Sequence, residues 1–250
     1  MQNVMLLAAT IFAFAMPLGL MIWWKKRCDL SLKPFIIGAL CFILFALVLE
    51  QAAHSFFLIT ENPVSAKINS TPWLRVLYGA LAAGIFEETG RLFGFRVMLR
   101  NDKKKEVSAA YGIGHGGIEA VMTLGVTYVM LTLFSFGIRF GDSGTDAAFS
   151  EALQNLSAVN LCLAMLERTS AMMLHIGLSV LVFLFTVQPG KRFFFPLAVV
   201  LHALCDVIPG LYQVGLMTDL VLIEGLILLF CAAVLFFSVR AYKAYQPAES

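Results

Sequence analysis

Long apolar runs alternate with short polar segments along the whole chain. A bilayer core of about 30 Å needs around 20 apolar residues in a helix, and each run is at least that long. We therefore predict an all-α fold, a polytopic bundle of about seven transmembrane helices. The predicted spans are residues 4–24, 35–59, 74–97, 108–137, 158–187, 193–214 and 219–239.

The segments between these runs are mostly too short to hold more than a turn. The longest polar segment covers residues 139–157, and we expect it to be a surface loop with a short amphipathic turn. No internal repeat divides the chain. We therefore predict one integral membrane domain over residues 1–250.

Basic residues fall mainly on one side of the predicted spans. With the N-terminus outside, thirteen Lys and Arg residues lie at the cytoplasmic segments and three lie outside. The thirteen are Lys25, Lys26, Arg27, Lys33, Arg96, Arg100, Lys103, Lys104, Lys105, Lys191, Arg192, Arg240 and Lys243. The three are Lys67, Arg75 and Arg139. The positive-inside rule then predicts an outside N-terminus and a cytoplasmic C-terminus.

Composition agrees with a surface that faces lipid. Hydrophobic residues make up 60% of the chain and charged residues only 14%, whereas a soluble domain has about 25% charged residues. We expect a multi-pass protein of the cell membrane, with the lipid bilayer as a partner and no nucleic acid. The five cysteines form no CxxC pair, so no disulfide framework or thiolate zinc site is implied.

Ionisable residues inside the apolar runs are the candidates for function. A charge at the bilayer centre costs about 2.5–3.5 kcal/mol on insertion scales, so intramembrane charges usually face a shared polar interior. The intramembrane set here is Glu50, His54, Glu87, Glu88, Arg91, His115, Glu119, Glu167, Arg168, His175, His202, Asp206 and Glu224. Their number predicts one polar cluster inside the bundle.

Their spacing along the helices sharpens this prediction. Arg91 lies three and four residues after the two adjacent glutamates, so it can reach either carboxylate along one helix face. The pairs His115 with Glu119 and His202 with Asp206 are each four residues apart. These groups, together with His175, fall at similar depths on the third to sixth spans.

The residue types limit the chemistry of such a cluster. Glu87 and Glu88 point about 100° apart, so one can face a cavity as a general base while the other pairs with Arg91. Histidines on facing helices can orient a water or stabilise an oxyanion, and His with carboxylates can also ligate zinc. The HExxH motif and a nucleophile-elbow serine are absent. A divalent metal such as zinc fits the residue types without being required by them.

Structural roles compete with catalytic ones at several of these positions. The Glu87, Glu88 and Arg91 group and the His202 and Asp206 pair can each serve only to lock helices together. Glu50, His54 and Glu224 lie toward helix ends, where we favour structural or interfacial roles. For Glu167 and Arg168 we favour mutual neutralisation. Around His115 stand Gly112, Gly114, Gly116 and Gly117, which we assign mainly to helix packing.

Two segments resemble the YhfC family of predicted bacterial intramembrane proteases. They are Phe86-Glu87-Glu88-Thr89-Gly90-Arg91 and the glycine-rich run from Gly112 to Ala120 that contains His115 and Glu119. The later Glu167-Arg168 to His175 segment and the HxxxD element of His202 and Asp206 fit the same pattern. More distantly, the chain is similar to PrsW proteases and type II CAAX prenyl proteases, which share an intramembrane helical core.

The resemblance implies glutamate-dependent hydrolysis of peptide bonds in or near the membrane, with a membrane-anchored protein or peptide as substrate. Glu87 or Glu88 would activate the water, and His115 and His175 would orient it or ligate a metal. His202 and Asp206 would polarise the scissile carbonyl. Glu119 is the alternative to His115 as catalytic group of its helix. Arg91, which would set the glutamate geometry, and Arg168 would give structural support.

Two other functions use the same residue types. Buried acid and histidine chains also form proton relays in transporters, although the matching Gly- and Pro-broken halves typical of many transporters are absent here. A catalytically silent membrane scaffold can also keep a protease fold. Dependence of peptide cleavage on Glu87 distinguishes the protease from both.

Overall fold

The computed structural model describes residues 2–141 and 143–245. Within these ranges the chain forms nine helices, besides a single 3-10 turn at Pro189–Lys191, and no strand. In chain order they are α1 Gln2–Cys28, α2 Lys33–Ile59, α3 Pro63–Ser70, α4 Pro72–Phe93, α5 Glu106–Ser135, α6 Ser143–Asn155, α7 Ala158–Val187, α8 Phe194–Gln213 and α9 Leu220–Ala244. The predicted all-α fold is confirmed.

Six of the described helices are long and apolar enough to cross a membrane, namely α1, α2, α5, α7, α8 and α9. The predicted third span, residues 74–97, corresponds to α4, which packs along α8 and exposes Leu77, Leu81 and Ile85 on its other face. Helix α4 is long enough to cross a membrane but is not as apolar as those six helices, because it carries two glutamates and two arginines. The orientation in the membrane and the extent of a single domain stay predictions.

The polar segment predicted as a loop is mainly helical. Helix α6 fills thirteen residues of it, and Asp142 lies outside the described residues. The short helix α3 was not predicted either. Asn62 caps α3: its side-chain oxygen accepts hydrogen bonds from the backbone N–H groups of Val64 and Ser65, both at 2.9 Å. A proline in the first turn also favours this helix start.

Helix α7 is the centre of the bundle. In its most apolar stretch of 18 residues, 67% of the residues are buried, against 28–44% in the corresponding stretches of the other five apolar spans. It packs against α5, α8 and α9, and more loosely against α1 and α4. The other apolar spans expose large hydrophobic side chains on their outer faces, as lipid contact requires.

Helix α5 approaches its neighbours closely because of four glycines in its first half. A methyl group at Gly114 would overlap the backbone carbonyl of Phe35 on α2, and one at Gly112 would come within 2.8 Å of the His175 carbonyl on α7. Gly117 faces α1, and Gly116 lies against the ring of His175. The predicted packing role of these glycines is confirmed.

Four π-helical turns interrupt the α-helical hydrogen-bonding pattern of the described chain. Two lie in α2, at Ile43–Glu50 and Ser55–Ile59. A third, Gly94–Met98, continues α4, and the fourth, Val121–Gly125, lies within α5. The turn in α5 begins two residues after Glu119. π-turns of this kind are frequent at functional sites.

Candidate active site

Helix α4 brings two glutamates and an arginine into the bundle interior. Arg91 forms an ion pair with Glu88, and neither side chain is exposed. The same guanidinium donates to the Ser179 hydroxyl at 3.2 Å and to the Nδ1 atom of His175. Arg91 therefore ties α4 to the central helix α7.

Glu87 lies among three histidines from three different helices. Its Oε2 atom is 2.8 Å from Nε2 of His115 on α5 and 3.9 Å from Nδ1 of His175 on α7. Its Oε1 atom is 3.8 Å from Nε2 of His202 on α8. The two carboxylate oxygens of Glu87 thus face different histidines.

The three histidines are buried and lie ring against ring. The centroids of His115 and His175 are 5.0 Å apart, and those of His175 and His202 are 5.7 Å apart. Phe42 of α2 packs edge-on against His115, with the centroids 5.1 Å apart. This packing fixes the ring positions.

His175 also contacts a second carboxylate. Its Nε2 atom pairs with Glu119, which accepts a hydrogen bond from Arg168 at 2.8 Å. Arg168 further donates to the Thr123 hydroxyl at 3.0 Å and pairs with Glu167. Glu119 is therefore held between a histidine and a guanidinium. It contacts Nε2 of His175, whereas Arg91 contacts Nδ1 on the other edge of the ring.

His202 links the buried ion pair to the cavity. Its Nδ1 atom is 2.7 Å from Oε1 of Glu88, and its Nε2 atom is 3.6 Å from Oδ2 of Asp206, one helical turn away. The Asp206 side chain is 32% exposed, in contrast to the buried histidines. With Nδ1 bonded to Glu88, Nε2 is the ring atom that faces Glu87 and Asp206.

A cavity of about 90 Å³ gives this cluster space for reactants. It is lined by Glu87, Glu119, Glu167, Arg168, Ala171, Leu174, His175, His202, Cys205, Asp206, Pro209, Ile227 and Cys231. A water needs about 10–15 Å³ of such space, so several waters fit. Glu88 is not among the lining residues, which separates the two adjacent glutamates: Glu87 faces the cavity and Glu88 faces Arg91.

The structure brings nine predicted site residues into one contact network. They are Glu87, Glu88, Arg91, His115, Glu119, Arg168, His175, His202 and Asp206. The predicted clustering on the third to sixth spans agrees with this geometry, whereas the catalytic role of each residue stays a prediction. Glu50 and His54 pair with each other at 3.3 Å, with Tyr78 2.9 Å from His54. Glu224 is buried outside the network.

Sequence reasoning missed two hydroxyl groups of the network. Ser179 follows His175 by four residues, and Thr123 follows Glu119 by four, so each lies on the same helix face as a site residue. The spacing used for the charged pairs would have found both. Sequence reasoning did not single out Cys205 and Cys231 as cavity residues either, and their sulfurs are 3.7 Å apart.

The donor set fits a divalent metal. Glu87, His115 and His175 each offer one ligand atom, and these atoms lie within 4.8 Å of one another. Two histidines and a glutamate are a ligand set of catalytic zinc. Nε2 is the His115 nitrogen that faces Glu87, whereas the buried Nδ1 atom has no hydrogen-bond partner in the described residues. The four carboxylates of the network, together with Glu167, outnumber the two guanidiniums, so a divalent cation would offset much of the excess negative charge.

The fold and the site together define a multi-pass membrane protein with a buried glutamate, histidine and arginine centre. The chain belongs to the YhfC family: the model of a family described as "YhfC intramembrane metalloprotease" matches residues 12–227. It is also 33% identical over 244 residues to "Uncharacterized membrane protein YhfC" of Bacillus subtilis (strain 168), which covers 94% of each chain. No solved structure matches the chain.

Proposed function

We propose that this protein is an intramembrane endopeptidase that hydrolyses peptide bonds of membrane-anchored substrates with a water bound at Glu87. One observation carries the proposal: Glu87 lines the cavity and is also within 4 Å of three buried histidines. The description of the family as metalloproteases supports the same reaction class.

Glu87 is the group that takes a proton from the attacking water. Its carboxylate faces the cavity, whereas the Glu88 carboxylate is held by Arg91 and His202 away from it. A general base must lie within hydrogen-bond reach of the proton that it removes. Glu88 accordingly acts as a positioning residue: it holds Nδ1 of His202 and thereby fixes which ring nitrogen faces the substrate.

His175 lines the cavity beside Glu87, and His115 contacts Glu87 from outside the cavity lining. They would hold a divalent metal together with Glu87. When bound there, such a metal lowers the pKa of its water and polarises a carbonyl. Glu119 contacts Nε2 of His175, as the carboxylate partner of a metal-ligating histidine commonly does. The Nδ1 atom of His175 would therefore bind a metal in place of the Arg91 guanidinium.

His202 and Asp206 act on the scissile carbonyl. Nε2 of His202 faces the cavity, so its proton can be donated to the oxygen on which negative charge develops. Asp206 lies one turn away and is partly exposed in the same cavity. We infer that its negative charge, 3.6 Å from Nε2, favours the protonated form of His202 that donates to the substrate.

Cleavage of membrane-anchored reporter peptides by purified protein in liposomes tests this function. Glu87→Gln should lose at least about a hundredfold of the activity, within the range of general-base contributions. Glu88→Gln should lose less, because it acts through His202. Glu151→Gln is the matched control, since Glu151 is an exposed glutamate on α6, outside the cavity.

The outcomes separate the proposal from its rivals. Loss of cleavage in Glu87→Gln, with Glu151→Gln unchanged, supports a glutamate-dependent protease, and loss on adding a chelator assigns a metal to the reaction. Cleavage at the parental rate by folded Glu87→Gln protein contradicts the proposal. Absence of cleavage by folded, metal-loaded parental protein across a broad reporter library also contradicts it.

A further inference from the structure

A second cavity of about 240 Å³ adjoins the active-site cavity along α4 and α8. Its walls include His54, Arg75 and Gln213, and it shares Asp206 and Pro209 with the active-site cavity. We call this second cavity the Arg75 groove. Because it shares wall residues with the active-site cavity, it extends the reaction space toward the end of the bundle where α4 begins and α8 ends.

The packing of α4 on α8 sets the length of this extension. Gly210 faces Val76, and Gly84 faces Val199 and Ala203, so the two helices run antiparallel in close contact. Twelve residues of α4 separate Arg75 from Glu87, which is about 18 Å of helix at 1.5 Å per residue. An extended peptide of about five residues covers the same distance at roughly 3.3 Å per residue.

Arg75 has a free guanidinium at the far end of the groove. Its side chain forms no ion pair or hydrogen bond with any other residue of the described ranges, whereas Arg139, assigned to the same membrane side, is 3.7 Å from Asp146. Arg75 also lies in the first turn of α4, where the helix dipole adds partial positive charge. An anionic group in the groove would meet both charges.

We propose that the Arg75 groove binds the substrate segment flanking the scissile bond and that Arg75 selects a carboxylate about five residues from that bond. This inference rests on the proposed protease function. The carboxylate belongs to an acidic side chain or to the free C-terminus of the peptide, because a guanidinium binds either through two parallel hydrogen bonds. Arg75 is thus a specificity-determining residue, and the groove sets the distance at which it acts.

Peptide binding to the Glu87→Gln protein tests the proposal without requiring cleavage. Transmembrane peptides carry Asp or Asn at each flanking position in turn, with an amidated C-terminus. A separate neutral peptide carries a free C-terminal carboxylate, and its amide is the comparison. One carboxylate peptide, either with Asp at one flanking position or with a free C-terminus, should bind about fivefold more tightly than its neutral counterpart. This factor is the upper range for an exposed ion pair. Arg75→Gln should abolish this preference.

Matched variants separate the groove from general effects of charge and bulk. Lys67→Gln removes an exposed cation of neighbouring α3 outside the groove and should keep the preference. Arg75→Glu should reverse it toward a Lys-containing peptide. A side chain at Gly79 would enter open groove space, so Gly79→Leu should weaken all peptides, whereas Gly19→Leu on α1 should not.

Equal binding of carboxylate and neutral peptides, both with Arg75 in place and after Arg75→Gln, would overturn the inference. Normal binding by Gly79→Leu would overturn the groove as the binding place. The two proposals can fail separately. Arg75-dependent binding without any cleavage by the parental protein keeps the selectivity and removes the protease function. Cleavage with no dependence of peptide binding on Arg75 keeps the protease function and removes the selectivity.

Discussion

Glu88 and Arg91 form an ion pair one helical turn apart on α4, and neither side chain has any exposed surface. A buried pair of this kind contributes little net stability, yet the loss of one partner leaves an uncompensated charge in the interior. The pair also holds His202 through Glu88 and His175 through Arg91. It therefore connects the stability of the bundle to the positions of two site histidines.

Removal of Arg91 alone should destabilise the protein strongly. We expect Arg91→Met to lower the free energy of unfolding by about 3–5 kcal/mol, because Glu88 then remains buried without its cation. The double variant Glu88→Gln/Arg91→Met should recover a large part of this loss. Reversible unfolding in detergent compares Arg91→Met, Glu88→Gln and the double variant with the parental protein. A double variant whose loss equals the sum of the two single losses would contradict this account.

Glu119 should affect catalysis through His175. Glu119→Gln is expected to lower kcat/KM, or metal affinity, by about 10–100-fold, as is typical when the carboxylate partner of a ligating histidine is changed. Glu167→Gln is the comparison, because Glu167 lines the same cavity and contacts Arg168 but no site histidine among the described residues. Reporter cleavage and metal affinity are measured on both, and equal effects of the two substitutions would argue against the orienting role.

Metal binding should depend on the two histidines beside Glu87. We expect the purified protein to bind zinc, and His115→Ala and His175→Ala to weaken this binding, because each removes one of three ligands. His54→Ala is the control, since His54 pairs with Glu50 and Tyr78 instead. Competition with a chromophoric chelator gives the affinities. Indistinguishable affinities in the four proteins would rule out this ligand set.

Packing of α2 against α5 should be intolerant of a single methyl group. Gly114→Ala forces a side chain into the Phe35 carbonyl, and we expect a loss of at least about 1–3 kcal/mol, the usual cost of overpacking. Gly225→Ala on α9 adds the same methyl group in open space and should be tolerated. Thermal unfolding in detergent compares the two variants, and a Gly114→Ala protein as stable as Gly225→Ala would contradict the packing.

Much of this architecture follows from hydrophobic pattern. Apolar runs of membrane length predict the bundle, and ionisable residues four apart predict that His115 with Glu119 and His202 with Asp206 share helix faces. The sequence could not predict that Glu87 faces the cavity and Glu88 does not. The rotation of α4 about its axis decides this, and it depends on how Gly84 packs against α8. Helix α6 was missed because polar residues with a weak apolar face also occur in loops.

The contacts of His175 lay beyond the sequence for a similar reason. It meets Glu87 on one side and Glu119 on the other, and these residues belong to two different helices. Only the relative positions of α4, α5 and α7 bring them to one ring. Spacing along a single helix therefore identifies candidate residues, whereas the division of their roles requires the packed bundle.

The π turn at Val121–Gly125 has a consequence for comparing chains of this family. Such a turn holds about one residue more than an α-helical turn, so it shifts the rotational phase of everything beyond it by roughly 100°. A relative that lacks one residue in this segment would keep an unbroken helix. Its side chains after the gap would point the same way as their counterparts here, because the π turn takes up the extra residue. A relative of equal length with an unbroken α-helix would instead have these side chains turned by roughly 100°, so equivalent positions must be matched by phase as well as by residue type.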